Sequence, residues 1–344
     1  MKLVHLVVAV WLAAAGKVAH AMPPPIDPVR QAAELEERAS VLRPVAEAGD
    51  VEVQWQLAQL LRWGRPQEAL AWLRKAAAQG HEEALMQLTD MLLADQADKP
   101  ALQEALDRLR QASAQGTVSA QVKLGNALGF PYAGIAVNEA ESAHWYRQAA
   151  EAGDLWAQVY LAQALRAGRG TAKDEHEAVK WFGMAAHKGD GLAQFYLAEM
   201  LQRGQGTAKD EAAAASWYLK AVKGIAGPQI AAYALGRCFE FGLGVHQDFQ
   251  QAAHWYETGA RANDRRSQRK FARFLQAGKG LAREPVQAYA WLSLALNGEI
   301  DKEEGEELAA TLTPAQLAEA RRLAAQWRPG EAMGPSRLKL ARTP

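Results

Sequence analysis

GDLWAQVYLAQALRAGRGTAKDEHEAVKWFGMAAHKG, residues 153–189, decides the fold through the spacing of its apolar residues. Asp154 stands where a helix N-cap belongs. Ala157, Leu161, Ala162 and Leu165 follow at i, i+4, i+5 and i+8, on one side of a helix. Gly168-Arg169-Gly170 breaks that helix, and Asp174 opens a second one, with Ala178, Trp181, Phe182, Ala185 and Ala186 expected on its inner side. Gly189 stops it and Asp190 restarts the cycle. One repeat is therefore helix, Gly-x-Gly turn, helix, glycine stop.

Working outward, the tryptophans carry the period. Trp72, Trp145, Trp181, Trp217, Trp255 and Trp291 share one slot, which Arg108 fills once; the steps along 72, 108, 145, 181, 217, 255 and 291 are 36, 37, 36, 36, 38 and 36 residues. The turn recurs with them as Gly168/Gly170, Gly204/Gly206, Gly242/Gly244 and Gly278/Gly280. The longer step before Trp255 falls in the loop 224–228, where an insertion disturbs no helix. A fixed period filled by two helices predicts an all-α fold, an α/α solenoid of about seven repeats. The repeats start near Asp50, His81, Thr117, Asp154, Asp190, Pro228 and Asp264. The tryptophans are expected in the core, one large ring filling the same space between helices each time.

Residues 231–256 read AAYALGRCFEFGLGVHQDFQQAAHWY. This resembles the Sel-1-like repeat, a relative of the tetratricopeptide repeat with the pattern A-x-x-x-L-G-x-x-Y-x-x-G-x-G-V-x-x-D-x-x-K-A-x-x-W-Y-x-K-A-A-x-x-G. The resemblance covers residues 50–297. Three repeats depart from it in their turns: Trp63-Gly64-Arg65-Pro66 is short, the stretch 94–100 has no Gly-x-Gly, and 129–134 reads GFPYAG. In the family's cysteine-rich branch each repeat carries a disulfide. Here Cys238 is the only cysteine, so packing alone must hold each repeat.

The ends read differently. Lys2, the apolar run 3–15 and Ala19-His20-Ala21 form a signal peptide over 1–21, too short and too interrupted for a retained membrane span. This places the protein in the periplasm or outside the cell, with Met22 as the mature N-terminus. A Pro-rich linker (22–28) precedes a capping helix (29–49), which Pro44 should kink or interrupt. Residues 298–327 form a helical C-terminal cap. In it Thr313-Pro314-Ala315-Gln316 is a helix start with Thr at the cap, Pro at N1 and Gln at N3. Residues 328–344 have no periodicity and read as a mobile tail.

Thirty-nine basic residues balance 39 acidic ones. Such neutrality argues against nucleic acid as a partner. The Gly-x-Gly turns follow no strand and extend into no phosphate-binding motif; their glycines serve close helix crossing. His144 and His254 share a slot before the tryptophan and read as exposed or half-buried, and no spacing fits a metal site. Ser267-Gln-Arg-Lys270 matches S-x-x-K, but so does Ser336-Arg-Leu-Lys339, and the accompanying S-D-N and K-T-G motifs are absent. Ser267 takes the small-residue slot held elsewhere by Ala157, Ala193 and Ala231. No catalytic set and no cofactor are expected.

Away from the packed face, the first helices carry Trp156, Tyr160, Phe195, Tyr196 and Tyr233. The resemblance implies that first helices line the concave face, where these rings would form a groove for a protein partner. The competing reading has neighbouring helices burying them. The last first helix adds Arg266, Arg269, Lys270 and Arg273, as a clamp for carboxylates or as a solvated end-face. The functional expectation is a monomeric, non-enzymatic scaffold for protein–protein interaction. The alternatives are a β-lactam-binding or β-lactamase-like enzyme, a reading encouraged by penicillin binding in the cysteine-rich branch, and a binder of cell-wall or exopolysaccharide polymer.

Overall fold

The computed structural model describes residues 28–95, 99–131, 135–224, 228–296, 302–331 and 333. The signal peptide and most of the linker lie outside them. Two compact units divide the chain, Met1–Arg108 and Leu109–Pro344. Helices are the only regular structure among the described residues. The first unit holds α1 (Pro28–Glu47), α2 (Val51–Leu61), α3 (Pro66–Ala78), α4 (Glu82–Asp95) and the start of α5 (Lys99–Ala114). In the second unit four repeats pair α6 (Val118–Gly129) with α7 (Glu139–Glu151), α8 (Leu155–Ala167) with α9 (Glu175–His187), α10 (Gly191–Arg203) with α11 (Glu211–Lys223), and α12 (Pro228–Phe241) with α13 (Phe249–Arg261). A fifth pairs α14 (Arg265–Ala277) with α15 (Pro285–Ala295), and α16 (Lys302–Ala310) and α17 (Pro314–Gln326) follow. Each helix in this unit packs on the next along the chain from α6 to α15, and α17 closes on α15. This all-α arrangement is a solenoid.

Local chemistry sets the boundaries. Asp50, Asp154, Asp190 and Asp264 each accept a backbone N–H three residues on, and Asp174, Asp210 and Asp248 do the same for second helices. Thr313 and Gln316 form the expected reciprocal capping box. Gly168, Gly204 and Gly278 end their helices in the left-handed conformation. The second glycine of each turn has a different task. A methyl on Gly170, Gly206, Gly244 or Gly280 would overlap the backbone carbonyl of Glu139, Glu175, Glu211 or Phe249, the first residue of the second helix one repeat earlier. These turns are docking joints between repeats.

Two expectations need correcting. The Trp slot is not uniformly core: Trp72 and Trp291 are buried, but Trp145, Trp181, Trp217 and Trp255 are only half-buried. The fully packed slot is the next residue, occupied by Leu73, Leu109, Tyr146, Phe182, Tyr218, Tyr256 and Leu292, all buried. Neighbouring helical residues lie about 100° apart, so only one of two adjacent rings can point straight inward. Two of the half-buried indoles use their N–H on a glutamate one turn earlier: Trp181 Nε1 donates to Glu177 at 3.1 Å and Trp145 Nε1 to Glu141 at 3.4 Å. Pro44, for its part, does not interrupt α1; the helix runs through it, with Ala39 and Ala46 buried on either side.

Of the expected tail, residues 328–331 and 333 are described, and 334–344 lie outside the described residues. Residues 328–331 follow α17 against the last repeats: Gly330 N donates to the Arg261 carbonyl at 2.8 Å, Trp327 packs edge-on against Trp291, and Met333 is buried.

Candidate functional site

The first helices of the second unit turn their small and aliphatic residues inward and expose the opposite side. Ala157, Leu161, Ala162 and Leu165 are buried as expected, and Trp156 is 55% exposed. The other four rings divide their surface between neighbours and solvent. Tyr160 stacks on buried Tyr146, with ring centroids 5.0 Å apart. Tyr196 leans on Phe182 at 5.2 Å, Phe195 on Tyr218 at 5.7 Å, and Tyr233 on Tyr256 at 5.9 Å. All four stay half-buried. One flank of each ring therefore rests on the aromatic slot of a second helix, and part of the remaining surface is exposed.

Cations overlie these rings. The Arg166 guanidinium sits 4.6 Å from the Tyr196 centroid, and that of Arg266 4.9 Å from Tyr233. Arg166 also donates to Glu199 at 2.9 Å, joining α8 to α10. Tyr146, Tyr160, Gln163 and Arg169 border a recess of about 60 Å³ on this side.

Most of the basic residues of the last first helix hold carboxylates of the same chain. Arg269 donates to Glu304 of α16 at 2.7 Å, and Arg273 grips the other oxygen of that carboxyl. Lys270 Nζ donates to Glu240 at 3.0 Å, and the Tyr256 hydroxyl donates to the same carboxylate at 2.6 Å. Burial pushes Glu240 up, but the Tyr256 hydroxyl and Lys270 outweigh it and hold the carboxyl below its ordinary range. Glu304 behaves alike: burial raises it, and Arg273 and Arg269 together bring it lower. Arg266, on the exposed edge, bonds only its own cap residue, Asp264, at 3.3 Å.

Ser267 and Lys270 do not face each other as a nucleophile and base would. Ser267 is buried in its small-residue slot and its hydroxyl donates to Asp264 at 2.6 Å, whereas Lys270 turns to Glu240. Cys238 is buried, which pushes its thiol up to about 11, away from reactivity. His144 is exposed, and half-buried His254 has its pKa lowered by burial and by Arg261.

Two repeated features escaped the sequence reading. A buried glutamine stands at the same offset in five first helices: Gln54, Gln121, Gln158, Gln194 and Gln268 each donate through Nε2 to the carbonyl eight residues earlier, in the last turn of the preceding second helix. On the second helices, Arg43 reaches Glu68 at 3.0 Å, Arg110 reaches Glu141 at 2.8 Å and Arg147 reaches Glu177 at 3.1 Å, so an arginine of one second helix grips a glutamate of the next. The recurrence of Gln three residues before the repeated leucine was the available signal.

Comparison with known proteins bears on the family. A family model described as the Sel1 repeat matches residues 51–81, 118–154, 157–190, 191–224, 229–264 and 266–298. The chain belongs to the Sel1 repeat family. The model passes over 82–117, the stretch without Gly-x-Gly, although α4 and α5 occupy it. A crystal structure of a Sel1 repeat protein from Oxalobacter formigenes is 26% identical, with a TM-score of 0.69 and 81% of each chain covered. A protective antigen of uropathogenic Escherichia coli displaying an SLR fold is 20% identical (84% of this chain and 94% of that one, TM-score 0.31). A Sel1 repeat protein from Klebsiella pneumoniae is 23% identical (68% and 98%, TM-score 0.29). No curated protein matches the chain. Among the described residues, no helix is long and apolar enough to cross a membrane.

Proposed function

We propose that this Sel1 repeat protein is an exported, non-enzymatic scaffold that captures a protein partner on the solvent side of its first helices. Sel1 repeat proteins generally mediate protein–protein interaction. The observation that carries the reading is the row of Tyr160, Phe195, Tyr196 and Tyr233, each anchored on one flank by a buried ring and still partly exposed. Rings held this way contribute contact area at little entropic cost, as binding anchors do. Trp156 extends the row with a more exposed indole.

Crosslinking capture from the periplasm, with the chain from Met22 as bait, tests the reading. Trp156→Ala and Tyr233→Ala are expected to weaken capture by about 1–3 kcal/mol while the thermal melt stays near that of the parent. Capture unchanged in both variants would place the partner elsewhere. Export rests on the charged start, apolar run and Ala-His-Ala of residues 1–21. N-terminal sequencing of protein from the producing cell should read Met22; an intact Met1 on cytoplasmic protein would remove that part of the proposal.

A further inference from the structure

The whole chain is neutral, with 39 basic and 39 acidic residues, but the solvent side of its later first helices is not. Taking the repeated Leu or Phe as zero, positions −5, −2, −1, +2, +5 and +6 of α8, α10, α12 and α14, of which only Val159 and Glu240 are buried, carry seven Arg or Lys and two Glu. Both glutamates are engaged, Glu199 with Arg166 and Arg203, and Glu240 with Lys270. At the far end the shortfall is made up by a segment of the chain itself. Helix α16 reads KEEGEELAA, and it seats Glu304 between Arg269 and Arg273 while Leu308 is buried in the adjoining core. An acidic helix with one apolar anchor thus already occupies one end of this face. The next cations along it, Arg237 and Arg266, are exposed, lie on the neighbouring helices α12 and α14, and flank rings. Arg266 overlies Tyr233, and Arg237 lies 5.8 Å from the ring of Phe241, itself 52% exposed.

We infer that the partner segment is an acidic peptide, bound next to α16 in the manner of α16: carboxylates on Arg237 and Arg266, an apolar side chain against Tyr233 and Phe241. This rests on the proposed use of the first-helix face and adds the chemistry of what the face takes. Guanidinium groups favour carboxylates because they offer paired donors. The seated Glu304 shows this pairing on the same face, which favours a peptide over an anionic polysaccharide.

Fluorescence anisotropy on the full chain, with fluorescein-labelled dodecapeptides of repeated Glu-Glu-Leu, Lys-Lys-Leu or Ser-Ser-Leu, tests the inference. The acidic probe should bind, weaken as ionic strength rises, and lose about tenfold or more in affinity in the R237E/R266E double variant. Both positions are exposed, so circular dichroism melts should confirm an unchanged fold. Equal binding of the three probes, or no loss in the double variant, overturns it. So does a heparin fragment that binds as tightly as the acidic peptide and is indifferent to Tyr233→Ala. Selection from a random dodecapeptide library separates the two claims. Enriched peptides that are not acidic yet are lost in Tyr196→Ala or Tyr233→Ala would overturn the acidic inference and leave the face reading standing. Enriched peptides indifferent to those tyrosines, or no enrichment at all, would remove both.

Discussion

The two outer sides of the repeats use the same residue types to opposite ends. On the second helices Arg110 and Arg147 each meet a glutamate on the next second helix, and the neighbouring indoles donate to the same carboxylates. Each acceptor lies one repeat on, so charge and aromatic group are consumed in holding repeat to repeat. On the first helices the arginines outnumber their carboxylates, and the rings stay partly exposed. A side whose charges are paired in register is architecture; one whose charges exceed their partners has capacity for something else.

The sharpest way to break this comparison is inside α9, where the two adjacent rings differ in burial. Phe182→Ala should cost about 3–5 kcal/mol in denaturant melts, as for other fully buried aromatics. Trp181→Ala should cost clearly less, since its ring is half-buried. Equal losses would mean that the indole is core after all and the second-helix side is not a surface.

The joints come next. Gly206→Ala should destabilise by about 2–4 kcal/mol, combining a left-handed backbone with overlap onto the Glu175 carbonyl. Gly189→Ala, also at positive φ but with open space around it, should cost only about 1–2 kcal/mol. If the two cost the same, the turns are not docking joints.

Acid sharpens the comparison further. Glu141 and Glu177 are held low chiefly by hydrogen bonds from Arg110 and Arg147, and Glu240 and Glu304 by the partners described above. A carboxyl whose folded pKa is depressed contributes stability above its unfolded value and loses it as pH falls through the folded one. The melting temperature should therefore drop as pH is lowered from about 4.5, the ordinary glutamate value, and the drop should be shallower in Glu240→Gln and Glu304→Gln. A melting temperature that rises on acidification would contradict the pairing. The smallest effect is expected from Arg147→Met, about 0.2–1 kcal/mol, because that pair is partly solvated. A double-mutant cycle with Glu177→Gln measures it.

The period, the caps and the glycine turns were legible because each depends on local chain chemistry. Asp154, Gly168 and Asp174 declare their roles within a few residues. The choice between Trp181 and Phe182 was not legible, because apolarity ranks both as core. The glutamines stayed hidden because a polar side chain inside an apolar run is readable only with its partner, a backbone carbonyl across a turn. In the candidate site Tyr160, Phe195, Tyr196 and Tyr233 keep partial exposure, but nothing local to them names a partner. The partners of Arg269, Arg273 and Lys270 were not legible because Glu304 and Glu240 lie 30 to 35 residues away.

The second glycine of each turn and the buried glutamine share a direction: both reach back to the backbone of the preceding second helix. Gly170 rests on the Glu139 carbonyl and Gln158 on that of Ala150, both in α7. A backbone carbonyl is the same whatever residue bears it. Through these two contacts each repeat brings the specific half and asks of its predecessor only a generic half. Excising residues 154–189, a block of 36, would bring Gly153 against Asp190 and set Gln194 and Gly206 on α7 in place of Gln158 and Gly170. Ancestry by unequal crossing-over needs such interchangeable seams, and gain or loss of length in whole repeats is the change this chain is built to survive.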